Sequence, residues 1–166
     1  GVATAITKGA GTGVNQYAAT FSGVAGNTEV TLMQYIESAN TYALNASPLV
    51  LSAWIYASTA KTFTLFIDSA NTTDVFSACT VRASVGFNHP GTGWALATPL
   101  TCSALGADAL RGLRIRVTAA NCTAGNFAIT GVQLEPGSIP TPFEFRNNEL
   151  AICQRYLPAF IGSAYQ

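Results

Sequence analysis

Residues 127 to 157 read Phe-Ala-Ile-Thr-Gly-Val-Gln-Leu-Glu-Pro-Gly-Ser-Ile-Pro-Thr-Pro-Phe-Glu-Phe-Arg-Asn-Asn-Glu-Leu-Ala-Ile-Cys-Gln-Arg-Tyr-Leu, and this stretch decides the fold. It begins with a β-branched and aromatic run that is typical of a buried strand. Pro136 and Gly137 end that strand, because proline lacks the ladder donor and glycine favours a turn. Pro140 and Pro142 then hold the chain extended, so we expect the next segment to lie across the sheet that the strand has just left.

The last strand contains an irregularity at Gly131. Before this glycine, the apolar residues Phe127 and Ile129 occupy odd positions. After it, Val132 and Leu134 occupy even positions. A regular strand cannot turn all four toward one core, because its side chains alternate between the two faces. We therefore predict a β-bulge at Thr130-Gly131 that returns both pairs to the core.

A short helix is predicted at about residues 148–157. Asn147 or Asn148 can cap its start, and Pro158 would end it. The residues of its buried stripe follow the i, i+3, i+7 spacing and are Leu150, Cys153 and Leu157. We expect Cys153 to be a free thiol, buried on the inner face of this helix.

The same stretch carries a resemblance to a known family. The words that carry it are Gly-Val-Gln-Leu-Glu-Pro-Gly-Ser (131–138), Thr-Pro-Phe-Glu (141–144) and Glu-Leu-Ala-Ile-Cys-Gln-Arg-Tyr (149–156). In this order and spacing they resemble the C-terminal signature of the carbohydrate-binding-module-like β-sandwich domains of bacteriophage tail fibres, tailspikes and related virion proteins. Residues 34–37 and 49–57 resemble earlier strands of that family, so the likeness spans residues 14–157.

The remaining pattern agrees with an all-β fold. Eight or nine short strands separated by turns indicate an antiparallel two-sheet β-sandwich of jelly-roll type, with one short C-terminal helix. Residues 49–58 are apolar on both faces, which is typical of a central strand. Residues 1–13 are glycine-rich and are interpreted as a linker or N-terminal arm, residues 14–157 as the sandwich module, and residues 158–166 as a C-terminal tail.

Composition bears on partners. Only 10% of the residues are charged and the formal net charge is zero, whereas 49% are hydrophobic. Protein surfaces usually carry about 25–35% charged residues, so we expect another chain to cover part of the apolar surface. The tail, with Phe160 and Ile161, is a candidate for that interface, and the fibre family implies a homotrimer. Without a basic footprint or a run of about 18 apolar residues, nucleic acid and membrane insertion are not expected.

Metal and cofactor sites find little support. The sequence contains one histidine and no Cys-x-x-Cys pair, so neither a zinc site nor another cofactor is predicted. Cys79, Cys102 and Cys122 are interpreted either as buried thiols or as the source of one disulfide. In the segment 68–74, the residues Asp68, Asn71 and Asp74 offer oxygen ligands for calcium, although turn chemistry explains the same residue types.

The candidate sugar-binding residues lie in two connections. In the segment from Gly86 to Trp94, Asn88 and His89 can hydrogen-bond to sugar hydroxyls, and the indole of Trp94 can stack on a pyranose face. The alternative is that Trp94 opens the next strand and belongs to the core. Tyr42, in the connection of residues 38–48, is the second aromatic candidate.

One further strand places arginines on a sheet face. Leu113, Ile115 and Val117 alternate with Arg114 and Arg116, so the apolar residues should face inward and the arginines outward. A row of arginines on a sheet face is usually solvated, but it can also pair across an interface.

The residues do not indicate an enzyme. The single histidine has no Gly-x-Ser-x-Gly elbow to serve, and no pair of carboxylates is identified by spacing. The resemblance implies a domain of a phage fibre or other virion appendage, acting outside the cell, that recognises host surface glycan and helps to assemble the fibre with other virion proteins. The alternatives are a purely structural trimerisation or decoration domain of the virion, and a carbohydrate-binding module of a secreted bacterial glycosidase.

Overall fold

A computed structural model describes residues 3–8 and 17–143 of the chain. The strands in these ranges are β1 (Ala3–Lys8), β2 (Tyr17–Ser22), β3 (Glu29–Ile36), β4 (Leu49–Ala57), β5 (Lys61–Thr72), β6 (Val75–His89), β7 (Gly93–Leu96), β8 (Leu100–Cys102), β9 (Leu113–Ala120) and β10 (Asn126–Pro136). The one α-helix of the described ranges, α1, is a single turn over Ser38–Thr41. Two 3₁₀ helices cover Tyr42–Leu44 and Gly106–Arg111.

The strands form two antiparallel sheets. Sheet A has the order β1-β2-β10-β4-β7, and β8 also pairs with β4. Sheet B has the order β3-β9-β5-β6. The predicted all-β two-sheet sandwich is therefore confirmed. Within residues 1–13, predicted as a linker or arm, β1 pairs along its length with β2. The predicted helix at 148–157, Cys153 and the tail at 158–166 lie outside the described residues.

The core lies between the inner faces of the two sheets. Alternation along β5 and β9 buries every second residue, and β4 is buried along most of both faces. Phe127 of β10 joins the two halves of this core. Its ring stacks on Phe21 at a centroid distance of 5.0 Å and meets Phe63 of sheet B edge-on at 5.9 Å. The prediction that residues 49–58 form a central strand is confirmed, because β4 lies between β10 and β7.

The predicted β-bulge is present in β10. The pairing of β10 with β4 is regular up to Thr130 and resumes at Gln133 with a shift in register. Gly131 adopts a φ of 55°, in the left-handed region that glycine adopts without strain. After the bulge Leu134 packs against the core. Val132 turns to the same side, where it lines a cavity of about 290 Å³ with Leu32, Ile115 and Val117 of sheet B, and it remains 36% exposed.

The segment that follows β10 crosses the outer face of sheet A, as predicted from its prolines. We call residues 139–143 the strap. Thr141 holds the strap in place by donating its backbone N–H to Oε1 of Glu135 at 2.7 Å and its hydroxyl to Oε2 at 2.8 Å. Between strap and sheet lies a cavity of about 260 Å³, lined by Ser52, Trp54, Leu96, Gly131, Pro140, Thr141, Pro142 and Phe143.

The described cysteines are thiols. Cys79, Cys102 and Cys122 are all free, which favours the thiol interpretation over a disulfide among them. Burial raises the pKa of the Cys102 and Cys122 thiols above their ordinary value. Within residues 3–8 and 17–143, no group of three or more His, Cys, Asp or Glu residues is placed to hold a metal ion. No helix in the same ranges is long and apolar enough to cross a membrane.

Candidate functional site

The outward face of sheet B carries a group of charged and aromatic side chains in fixed positions. Strand alternation and register place them together, since Tyr35 of β3 lies opposite Arg114 of β9, and Arg116 lies opposite Phe66 of β5. We call this surface the arginine face. Its members are Met33 and Tyr35 of β3, Arg114 and Arg116 of β9, Phe66 and Asp68 of β5, and Ser84 and Asn88 of β6.

A buried carboxylate lies at the centre of the arginine face. Asp68 has no exposed surface, although its strand position turns it away from the core. Its Oδ2 accepts hydrogen bonds from Nε of Arg114 at 2.8 Å and from Nε of Arg116 at 2.6 Å. Its Oδ1 accepts from Nη2 of Arg116 at 3.1 Å. Both carboxylate oxygens are therefore satisfied, which offsets the large cost of taking this charge out of water.

Arg116 is held on a second side by an aromatic ring. Its guanidinium carbon lies 4.0 Å from the ring centroid of Phe66, within the range of a cation–π contact. Hydrogen bonding to Asp68 raises the pKa of Arg116 above its ordinary value, and burial only partly opposes this effect. The guanidinium is thus a permanent cation whose plane is set by Asp68 and Phe66.

An aromatic pair flanks the arginines. The rings of Tyr35 and Phe76 lie 4.7 Å apart, centroid to centroid, and Tyr35 remains 49% exposed. The hydroxyl of Tyr35 donates to Sδ of Met33 at 3.0 Å. Gly112 lies behind the pair, where an added Cβ would come within 2.9 Å of Cζ of Phe76. The ring of Tyr35 therefore offers a supported aromatic surface beside Arg114.

The arginine face carries a net positive charge. It combines two guanidiniums with one carboxylate, on a chain whose formal net charge is zero. Arg82, a nearby cation of β6, is itself paired with Asp108 at 2.8 Å. Fixed donors beside an exposed aromatic ring are the groups that orient a sugar, which presents hydroxyls at its rim and C–H bonds on its faces.

Two predicted site residues lie at the end of β6. Asn88 is exposed at the far end of the arginine face, where its Oδ1 accepts from the hydroxyl of Thr62 at 2.9 Å. His89 is only 2% exposed, because residues 86–89 extend β6, where His89 pairs with Lys61, instead of forming the predicted loop. It lines a cavity of about 290 Å³ together with Asn88 and Lys61, and among the described residues its Nε2 has no hydrogen-bond partner, so its contact with a sugar stays a prediction. The Nδ1 of His89 accepts from the backbone N–H of Gly91 at 2.9 Å.

The two predicted aromatic residues are far from each other. Trp94 lies in β7, on the outer face of sheet A, with its ring 5.7 Å from that of Tyr56. It is half-buried and does not belong to the inner core. Tyr42 is 69% exposed and precedes the start of β4, whereas Trp94 pairs near the end of β4. The two connections are thus separated by the length of that strand, about 25 Å.

The three calcium candidates of residues 68–74 each have other partners in the structure. Asp68 and Asn71 both belong to β5, which leaves only a tight turn around Asp74 instead of a ligand-bearing loop. The Asp68 carboxylate is taken up by arginines, and Oδ1 of Asn71 accepts from the hydroxyl of Thr80. Asp74 accepts from the backbone N–H and the hydroxyl of Ser38, both at 2.7 Å. The three side chains therefore do not converge.

Sequence reasoning missed the central pair of this site. It placed Arg114 and Arg116 outward, which is correct, but expected solvated side chains or an interface, whereas each is only 19% exposed. Their partner Asp68 comes from a strand that is distant in sequence. A signal was available in β5. Asp68 and Phe66 lie two residues apart and so point to the same face of the strand, and the buried residues before them point to the opposite face. The partner strand itself was not readable from the sequence.

Comparison with known proteins gives matches at the level of structure. No family model matches the sequence, and no curated protein matches it. TmCBM61 in complex with β-1,4-galactotriose has a TM-score of 0.54 at 14% identity, covering 82% of this chain and 87% of that one. The enzymatically active domain of tailspike protein 4 of bacteriophage CBA120 has a TM-score of 0.57 at 16% identity, covering 82% and 18%. Arabinose-bound MgGH51 α-L-arabinofuranosidase has a TM-score of 0.56 at 14% identity, covering 83% and 22%.

The lengths of these proteins differ. The chain spans about a fifth of the tailspike and of the arabinofuranosidase, and most of TmCBM61. At such low identity the likeness establishes the fold and carries no residue from one protein to another. The fold is an antiparallel two-sheet β-sandwich, as it is in TmCBM61.

Proposed function

We propose that this chain is a glycan-binding module and that the arginine face is its binding surface. The observation that carries the proposal is the cluster of Arg114, Arg116 and Asp68 beside the exposed ring of Tyr35. The cluster is organised before any ligand arrives, so little side-chain entropy would be lost on binding. The β-sandwich fold, shared with a module bound to β-1,4-galactotriose, supports the same conclusion.

Each part of the face has a role in this proposal. The ring of Tyr35, supported by Phe76, would stack on the apolar face of one pyranose. The guanidinium of Arg114 would donate to oxygens of the same sugar or its neighbour. Asn88, at the other end of the face, would contact a more distant unit of the chain. The length of β6 therefore suits an extended oligosaccharide more than a single sugar.

Binding without catalysis is the proposed activity. Glycoside hydrolysis needs two carboxylates across the scissile bond. Among the described members of the arginine face, Asp68 is the only carboxylate, and its oxygens are occupied by arginine donors. Catalysis by a longer protein would then belong to other domains.

We propose that the module belongs to an external appendage of a phage virion, where it would bind host surface glycan and contact other virion proteins. The support is the resemblance of residues 131–156 to fibre and tailspike domains, together with the similar sandwich within the tailspike of bacteriophage CBA120. A module of a secreted glycosidase is equally consistent with the comparisons, because MgGH51 α-L-arabinofuranosidase contains a similar sandwich.

Homotrimer formation is part of the appendage proposal. Several large apolar side chains outside the arginine face remain exposed, including Leu96 at 45% and Ile139 at 79%. In a fibre, contacts between copies would cover such groups. Sedimentation equilibrium at micromolar concentration should give the mass of a trimer. A stable monomer would favour the glycosidase-module interpretation.

A glycan array tests the binding proposal. The wild-type chain should bind a restricted set of glycans, and Tyr35→Ala should lower affinity about tenfold, the energy of one aromatic contact. Tyr42→Ala is the matched control, since Tyr42 is an exposed tyrosine outside the arginine face. If Tyr42→Ala weakens binding and Tyr35→Ala does not, the site is elsewhere. If the wild type binds no glycan, the purely structural interpretation gains.

A further inference from the structure

We infer that the glycan recognised by the arginine face is anionic, with the carboxylate of a uronic acid unit bound by the guanidinium of Arg114. The inference rests on the proposed glycan-binding function and adds the class of sugar. It follows from the donors that the ion cluster leaves over and from the position of the exposed ring.

The ion cluster itself keeps a positive charge, because Asp68 neutralises only one of the two guanidiniums that hold it. Two exposed acids lie near Tyr35. Glu37 follows it by two residues, and Asp74 accepts two hydrogen bonds from Ser38 at 2.7 Å. The charge of the surroundings therefore does not select an anion, and the inference rests on the free donors of Arg114 and on the position of Tyr35.

The two arginines differ in what they offer a ligand. Arg116 uses both Nε and Nη2 on Asp68 and lies over Phe66. Among the described residues, Arg114 donates to Asp68 through Nε alone. A guanidinium carries five N–H donors in a planar fork, so the terminal nitrogens of Arg114 are left for an incoming acceptor. Its side chain is 19% exposed, so it is only partly covered.

A carboxylate is the acceptor that fits these terminal nitrogens. Two parallel hydrogen bonds from a guanidinium match the two oxygens of a carboxylate, and arginine sheds its hydration more easily than lysine does. Tyr35 lies directly opposite Arg114 in the β3–β9 register. A pyranose stacked on Tyr35 would therefore present a substituent of its ring to Arg114, and in a uronic acid one such substituent is a carboxylate.

Carboxyl reduction of the ligand provides the test, because it converts each uronic acid unit to its neutral sugar and leaves the backbone unchanged. Isothermal titration would compare polygalacturonate, alginate and hyaluronan with their reduced forms, and dextran sulfate with dextran. We expect at least one uronate polymer to bind and its reduced form to bind about tenfold more weakly or not at all, as expected for loss of a charge pair. Raising NaCl from about 50 to about 300 mM should also weaken binding to the uronate polymer.

Variants of the protein test whether Arg114 is the residue that binds the carboxylate. Arg114→Gln should abolish the preference for the unreduced polymer, while Arg114→Lys, which keeps the charge but not the fork, should retain part of it. Arg111→Gln is the matched control, because it removes one arginine charge outside the face and should leave the preference intact. Circular dichroism confirms that each variant is folded.

The outcomes separate this inference from the proposed function. Equal or tighter binding of the reduced polymers overturns the inference and leaves glycan binding standing. Binding of dextran sulfate alone also overturns it, because the recognised group is then a sulfate. Binding of none of these polymers, together with no binding to neutral glycans, contradicts both proposals.

Discussion

The guanidinium of Arg116 holds the carboxylate of Asp68 through two hydrogen bonds, Nε to Oδ2 at 2.6 Å and Nη2 to Oδ1 at 3.1 Å, and Asp68 is completely buried. This carboxylate lies on the outward face of a sheet, so it is the arginines that cover it. The pair therefore fixes the guanidiniums in the orientation that the proposed site requires. Asp68 therefore contributes both to the stability of the fold and to the orientation of the arginines in the proposed site.

Replacing the buried carboxylate should destabilise the protein. Asp68→Asn leaves two guanidiniums without their partner, and breaking a buried pair from one side costs about 3–5 kcal/mol. Urea unfolding at neutral pH measures the change in the free energy of unfolding. Asp74→Asn is the control, because asparagine tolerates the positive φ of 57° at this exposed turn and should cost less than about 1 kcal/mol. Equal losses in the two variants would contradict the role assigned to Asp68.

The two neighbouring residues at the end of β6 should behave differently. His89→Ala removes a buried ring that contacts Phe63 and Phe87 edge-on, and should cost about 2–3 kcal/mol. Asn88→Ala changes an exposed side chain and should alter stability by less than about 0.5 kcal/mol. Thermal unfolding of both variants checks this contrast. A neutral His89→Ala would mean that β6 ends before residue 89.

Acid should release the strap. Burial raises the pKa of Glu135, but the hydrogen bonds from Thr141 and Gln133 lower it by more, so its pKa lies below the ordinary value of 4.5. A lowered pKa means that the contribution of Glu135 to stability is present above the pKa of the unfolded chain and is lost as pH falls through the folded value. The difference in unfolding free energy between wild type and Glu135→Gln should therefore shrink below about pH 4.5. If the difference in unfolding free energy instead grows as the pH falls, Glu135 does not hold the strap through Thr141.

The backbone behind the aromatic pair can be tested with two glycines. Gly112 has a φ of 92° and faces Phe76, whereas Gly26 has a φ of 91° and open space around it. Alanine at either position strains the backbone, at a cost of about 1–3 kcal/mol. Gly112→Ala should cost more, because its Cβ also displaces Phe76, and it should weaken glycan binding through Tyr35. Equal stability losses and unchanged binding would show that Phe76 does not support the site.

Local patterns in the sequence predicted much of the fold. The apolar faces of residues 49–58 identified a central strand, and the change of parity around Gly131 identified the bulge. Both signals arise from burial of neighbouring positions, which a sequence displays directly. The proline segment was also placed correctly over sheet A.

The site was harder to predict because it depends on pairing between distant strands. Residues 68–74 have the composition of a loop, yet β5 continues to Thr72 because β6 pairs along it. The same extension of β6 buries His89, which composition alone placed at the surface. Strand alternation placed Tyr35 and the arginines outward, but only the register brings them together with Asp68.

Mapping the bound glycan by nuclear magnetic resonance tests the central claim most directly. Amide resonances would be followed while the uronate oligosaccharide that binds most tightly is titrated into the isotope-labelled chain. We predict that the largest shifts fall on β3, β5 and β9 around Tyr35, Phe66 and Arg114. Shifts confined to Trp54, Tyr56 and Trp94 on sheet A, or no shifts at saturating glycan, would contradict the assignment of the arginine face as the binding surface.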